Sequence, residues 1–214
     1  VARKASIKPP HPARFLRSAC TAALALTAGR AHAHSSMPGV GDFYAGFLHP
    51  LTAPEHVLAF VALGILAAQQ APRGQLALPV FWIALTAGAA LAIVQPGIPG
   101  VALVNILSVL VLGALIALYR PLPRALLIGL AVLFALTHGH ANGEAITGGV
   151  RAYIFIPGVA LAALAVTGYG LVFTDWLLRR KTGWITIAVR VAGSWIAAIG
   201  MLVLASSWKA LTAG

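Results

Sequence analysis

Acidic residues are nearly missing from this chain. Its 214 residues include four Asp and Glu against 15 Lys and Arg, and charged residues of both signs amount to only 9%. Soluble domains carry about 25%, so the polar surface that would keep a globular protein in water is not there. Cysteine is reduced to Cys20, which excludes an intrachain disulfide framework and a thiolate metal centre. No Gly-x4-Gly-Lys-Ser/Thr loop occurs, so the chain carries no such nucleotide-binding loop of its own. What fills the chain instead is apolar: 60% of the residues, with a mean hydropathy of +0.91. That surplus excludes a soluble enzyme and, despite a net charge of +11, a nucleic-acid binder. An integral membrane protein of about one domain remains.

The positive charge is unevenly placed. Arg3, Lys4, Lys8, Arg14, Arg17 and Arg30 crowd the first 30 residues, ahead of and around a short apolar run, Ser18–Gly29, that leads to Ala31-His32-Ala33. A basic lead, an apolar core too short to span a bilayer and a small-x-small exit describe a secretory signal peptide over residues 1–33. The mature domain, residues 34–214, then begins at His34 and contains no cysteine.

Beyond Gly41, cuts at Pro, Gly and basic residues leave six runs of membrane-spanning length: Pro50–Gln70, Leu78–Gln95, Ile98–Tyr119, Leu122–Ala141, Ala152–Leu178 and Trp184–Ser207. They are continuous rather than alternating, which excludes a β-barrel and predicts an all-α, polytopic fold of six transmembrane helices. With the mature N-terminus outside, the loops holding Arg73, Arg120, Arg124, Arg179, Arg180 and Lys181 face the cytoplasm, leaving Arg151 and Lys209 outside. The positive-inside rule is satisfied, and both termini of the mature chain are expected in the periplasm of a bacterial inner membrane. Arg190 is expected to snorkel from the last helix. Gly88-x3-Ala92, Gly158-x3-Ala162 and Gly193-x3-Ala197 predict close helix packing, and Trp82, Trp176, Trp184 and Trp208 lie where interfacial anchors do.

Ionisable residues are costly in lipid and mark function. Asp42, His49, Glu55 and His56 lie in the lead into the first helix; His138, His140 and Glu144 close the fourth. The topology puts both stretches on one side of the membrane. His56 precedes Gln70 by 14 residues and His138 follows Leu122 by 16, roughly 21 and 24 Å of helix, so both imidazoles reach the outer leaflet at similar depth. They are expected to converge on one cavity, where imidazole and carboxylate suit Ni²⁺, Co²⁺, Zn²⁺ or Fe²⁺. Pro50 and Pro54 make the first helix discontinuous, and Gly139 and Gly143 predict that the fourth is ending, letting His138 and His140 chelate from a loop-like backbone. Thr52 and Glu55 fit a capping box, and Asp42 is placed to cap a short helix over Phe43–Leu48. Asp175 is spaced for an ion pair with Arg179, and Asn105 and Ser108 for hydrogen bonds to a neighbouring helix.

The stretches Gly46-Phe47-Leu48-His49-Pro50-Leu51-Thr52-Ala53-Pro54-Glu55-His56 and Thr137-His138-Gly139-His140-Ala141-Asn142-Gly143-Glu144 resemble the paired His-Pro-x-x-Gly-x-Asp-His and His-Gly-rich motifs of the hydrogenase/urease accessory permeases, the HupE/UreJ family. Ala53 stands for the motif's glycine, Glu55 for its aspartate and Asn142 for a common second histidine, while Glu144 follows Gly143 without a spacer. The resemblance implies a six-helix permease linked to nickel or cobalt, with His49, Glu55, His56, His138, His140 and Glu144 at the ion site. It implies a transported divalent ion rather than a tightly bound cofactor, contact with lipid, and metalloenzyme maturation proteins as partners. A membrane-embedded zinc hydrolase using Glu55 or Glu144 as base and a non-transporting metal-homeostasis accessory protein are the alternatives.

Overall fold

Pro54 decides how the chain enters the bundle. A proline disfavours helical backbone in the residue before it, and Ala53 is extended (φ −105°, ψ 105°). The entry segment is therefore two helices, α1 (Asp42–Thr52) and α2 (Pro54–Gln69), bent by 79° at the break. The computed structural model describes residues 41–212, with side chains described to Trp208. The signal peptide expected over residues 1–33, Cys20, His34 and the side chain of Lys209 lie outside the described residues.

A 3-10 turn, Arg73–Leu76, follows, and then α3 (Ala77–Val94), α4 (Val101–Leu118), α5 (Arg124–Gly143), α6 (Ala152–Leu178) and α7 (Gly183–Thr212). Among the described residues there is no strand. Five of the described segments are long and apolar enough to cross a membrane, and the bent pair α1–α2 makes a sixth if it counts as one span. The all-α, polytopic expectation holds. The first run differs from expectation because helix begins at Asp42, eight residues before Pro50, and turns sharply before its spanning part.

The helices pair closely: α3 lies along α5, α4 along α7, and α1 and α2 along α6. Phe60, Leu63 and Leu66 of α2, Phe81 and Leu85 of α3, Leu112 and Ile116 of α4 and Leu127 of α5 build a common core. Small residues make the close approaches possible. A Cβ on Gly88 would strike the Leu136 carbonyl, one on Gly158 the Phe43 carbonyl and one on Gly193 the Ile116 side chain, as the small-x3-small spacing predicts.

Two capping expectations fail. No side chain caps α2; Thr52 Oγ1 donates to the His49 carbonyl at 2.8 Å, inside the last turn of α1. The bend at Ala53 separates Thr52 from the first turn of α2 and the box cannot form. The N-cap of α1 is Gly41, not Asp42, and Asp42 accepts from Arg151 Nε at 2.7 Å, tying the start of α1 to the start of α6. This hydrogen-bonded carboxylate raises the Arg151 guanidinium above its ordinary pKa. The Asp175–Arg179 pair forms as expected, at 2.8 Å, and Arg190 Nε reaches the Ala117 carbonyl at 2.9 Å.

Candidate functional site

Where α2, α4 and α5 meet, the bundle interior is polar. His56, in the first turn of α2, and His138, in the penultimate turn of α5, bring their Nδ1 atoms to 2.6 Å. His56 is 5% exposed and His138 is fully buried. Phe60, one turn beyond His56, stacks on its ring (6.2 Å, 18°) and meets His138 edge-on at 5.6 Å. His138 Nε2 lies 2.8 Å from Ser108 Oγ on α4, and Ser108 Oγ donates to the Asn105 carbonyl at 2.6 Å.

These contacts fix the protons. A serine hydroxyl has one proton, and a carbonyl can only accept, so Ser108 spends its proton on Asn105 and must accept from His138 Nε2–H. Neutral His138 then presents a lone pair at Nδ1, and His56 donates Nδ1–H to it. His56 Nε2 is left as the acceptor nitrogen of the pair. Two asparagines brace the arrangement: Asn142 Nδ2 donates to the His138 carbonyl at 2.7 Å and Asn105 Nδ2 to the Thr137 carbonyl at 3.3 Å. Each amide keeps a buried Oδ1 with no hydrogen-bond partner.

His140 takes no part in this pair. α5 is continuous to Gly143 instead of ending near Gly139, so residues two apart point to different sides, and the loop-like chelate expected for His138 and His140 does not exist. The helix keeps its glycines for closeness: a Cβ on Gly139 would enter the Leu85 carbonyl of α3, and one on Gly143 the Ala89 carbonyl. His140 faces the α3–α4 connection, where its Nε2–H donates to the Gln95 carbonyl at 2.8 Å. Its Nδ1 is buried without a hydrogen-bond partner, 3.6 Å from Glu144 Oε1, and that oxygen accepts from the Gly97 amide at 2.7 Å.

Of the six residues expected to share one ion site, the structure joins His56 to His138 and, separately, His140 to Glu144. His49 lies on α1 against the Phe155 ring at 6.0 Å, and Glu55 is half-buried in the first turn of α2. Among the described residues no group of three or more His, Cys, Asp or Glu is close enough to hold a metal ion. Ser108, Asn105 and Asn142 complete the polar core. The sequence signal for them was a polar side chain in an otherwise apolar helix, legible for Asn105 and Ser108 as helix-to-helix bonding but not as support for an imidazole.

Ser108→Ala is expected to leave His138 Nε2–H buried without an acceptor, lowering stability by about 0.6–2 kcal/mol. As a group that orients an imidazole, Ser108 should also matter to any ion held there, by about 10–100-fold in affinity. Thermal unfolding in detergent and equilibrium metal binding check the two effects.

Residues 22–203 match the family described as HupE / UreJ protein. The chain is 33% identical over 189 residues to Protein HupE of Rhizobium leguminosarum bv. viciae, a similarity that takes in 86% of this chain and 94% of that protein. No solved structure matches it. The family match spans most of a chain whose helices and polar interior have the layout that its two histidine motifs imply, and this multi-pass membrane protein belongs to the HupE/UreJ family.

Proposed function

We propose that the protein is a permease for a divalent transition-metal ion, with nickel or cobalt as cargo, working by facilitated or secondary transport across a bacterial inner membrane. The observation that carries the reading is the buried His56–His138 pair. Two imidazoles inside an apolar bundle, braced by Ser108 and two asparagines, are an expensive arrangement that packing alone does not require. The basic residues at the other ends of these helices orient the pair toward the periplasm, with both termini of the mature chain on that side.

The chemistry follows from the proton assignment. An arriving ion exchanges part of its hydration for His56 Nε2, the nitrogen whose lone pair is already available. To pass on to both Nδ1 atoms the ion leaves Nε2 as the His56 proton moves from Nδ1 to Nε2, so that each neutral imidazole presents a lone pair at Nδ1. Metal–nitrogen bonds of about 2.0–2.1 Å then require a nitrogen separation of roughly 2.9–3.4 Å, and the 2.6 Å pair must spread slightly. Asn105 Oδ1 and Asn142 Oδ1 offer oxygen donors from the same layer of helices. His49, Glu55, His140 and Glu144 supply further stations near the same membrane face. A shell with few strong ligands suits passage, because conduction needs binding weak enough to release. A catalytic zinc needs three protein ligands, and that requirement favours transport over the hydrolase reading. Maturation proteins for a metalloenzyme would receive the ion inside.

Cells producing the protein should accumulate nickel or cobalt several-fold over cells lacking it when Ni, Co, Zn and Fe are compared by elemental analysis. Equal content of all four metals would refute the reading.

A further inference from the structure

At the end of the bundle away from the histidine pair, the tail of α2, the 3-10 turn and the connection from α4 to α5 enclose a cavity of about 400 Å³. This is within the range of small-ligand sites. Three arginines line it, Arg73, Arg120 and Arg124, with Gln69, Gln70 and Tyr119. No carboxylate is among the described residues that line it. The acidic residues are engaged elsewhere: Asp42 with Arg151, Asp175 with Arg179 and Glu144 beside His140, while Glu55 lies at the far end of α2.

The other described arginines do not share this situation. Arg179 is neutralised by Asp175, Arg180 lies 3.9 Å over the Trp176 ring, and Arg190 is bound to the Ala117 carbonyl. Among the described residues, three arginines thus line one cavity with no carboxylate in that lining. The floor is built rather than incidental. Gln70 Nε2 donates to the Arg120 carbonyl at 2.9 Å and the Leu122 amide donates to Gln70 Oε1 at 2.9 Å, so one side chain clips the α4–α5 connection to α2. Gln69 Nε2 donates to the Ile116 carbonyl at 3.1 Å, leaving its Oε1 buried without a partner. α5 starts at Arg124 with no side-chain cap, and its first-turn amides add partial positive charge to the same mouth.

We propose that this cavity binds a phosphate group, presented by the headgroup of an anionic phospholipid. Arginine's planar fork matches phosphate oxygens in pairs, and basic pockets between transmembrane helices on the cytoplasmic side take acidic lipid headgroups. The site lies at the opposite end of the bundle from the histidine pair, and its test does not require transport.

The full chain, purified in detergent, is titrated with short-chain phosphatidylglycerol and with phosphatidylcholine, and bound lipid is counted by native mass spectrometry. Wild type should bind phosphatidylglycerol in preference to phosphatidylcholine. The combined variant Arg73→Gln, Arg120→Gln, Arg124→Gln should bind phosphatidylglycerol about 100-fold more weakly, at about five-fold per lost charge. The single variant Arg124→Gln should lose about five-fold, which keeps the test decisive if the combined variant does not fold. The variant Arg180→Gln, Lys181→Gln should bind as wild type does. Displacement by millimolar inorganic phosphate would show that the cavity accepts the phosphate group itself; persistence of the bound lipid would show that the glyceride is also held, and either result upholds the site. Wild-type phosphatidylglycerol binding by the combined variant, or an equal loss in the Arg180, Lys181 variant, would overturn it.

Discussion

His56→Ala and His138→Ala are each expected to reduce nickel or cobalt uptake by more than ten-fold, to the level of cells without the protein. The estimate starts from the roughly 10–100-fold loss of affinity seen when a group that merely supports a metal ligand is removed; a ligand itself should cost at least the upper end. The double variant should be no worse than either single one, because two nitrogens sharing one proton at 2.6 Å act as a unit and their removals do not add. Folding should survive, since the pair's hydrogen bond contributes only about 0.6–2 kcal/mol in a bundle interior. Asp175→Asn, which opens an ion pair at the opposite end of the bundle, should leave uptake unchanged. Uptake by proteoliposomes, normalised to folded protein, checks all four.

A large effect on stability is expected at Gly139. Its missing side chain lets α5 press against α3, so an added Cβ would enter the Leu85 carbonyl, a backbone group that cannot rotate away. Gly139→Ala should destabilise by about 1–3 kcal/mol or more, the range for overpacking a filled interior. Separating α5 from α3 would also shift His138 and His140, its immediate neighbours. Gly129 on the same helix gives the internal control. Nothing lies within 4 Å of a Cβ built there, and Gly129→Ala should stabilise by about 0.5–1 kcal/mol through helix propensity alone. The same substitution, ten residues apart, is expected to have opposite signs in thermal unfolding.

Hydropathy made most of the architecture legible before any coordinates, because the cost of exposed backbone in lipid leaves few choices to long apolar runs. Proline was harder to read. Pro50 and Pro54 both signalled a break, but only the second makes one, since it forces Ala53 into extended backbone while Pro50 sits inside α1. Glycine misled at Gly139 and Gly143, where the flexible residue serves helix contact and α5 runs on. That misreading is why His138 and His140 were expected together: a continuous helix sends them to α2 and to the α3–α4 connection instead. Depth matching brought His56 and His138 to one layer from residue counts alone. Ser108 could not be assigned to His138 from spacing, because it sits on a third helix whose rotation about its axis no local pattern encodes.

The central claim is that the cargo ion is held by His56 and His138. X-ray absorption at the nickel edge, on purified protein loaded with one equivalent of Ni²⁺, tests it directly by counting imidazole ligands. Two imidazoles in the wild type, falling to one in His138→Ala, are predicted. An imidazole count that stays the same in that variant would contradict the account.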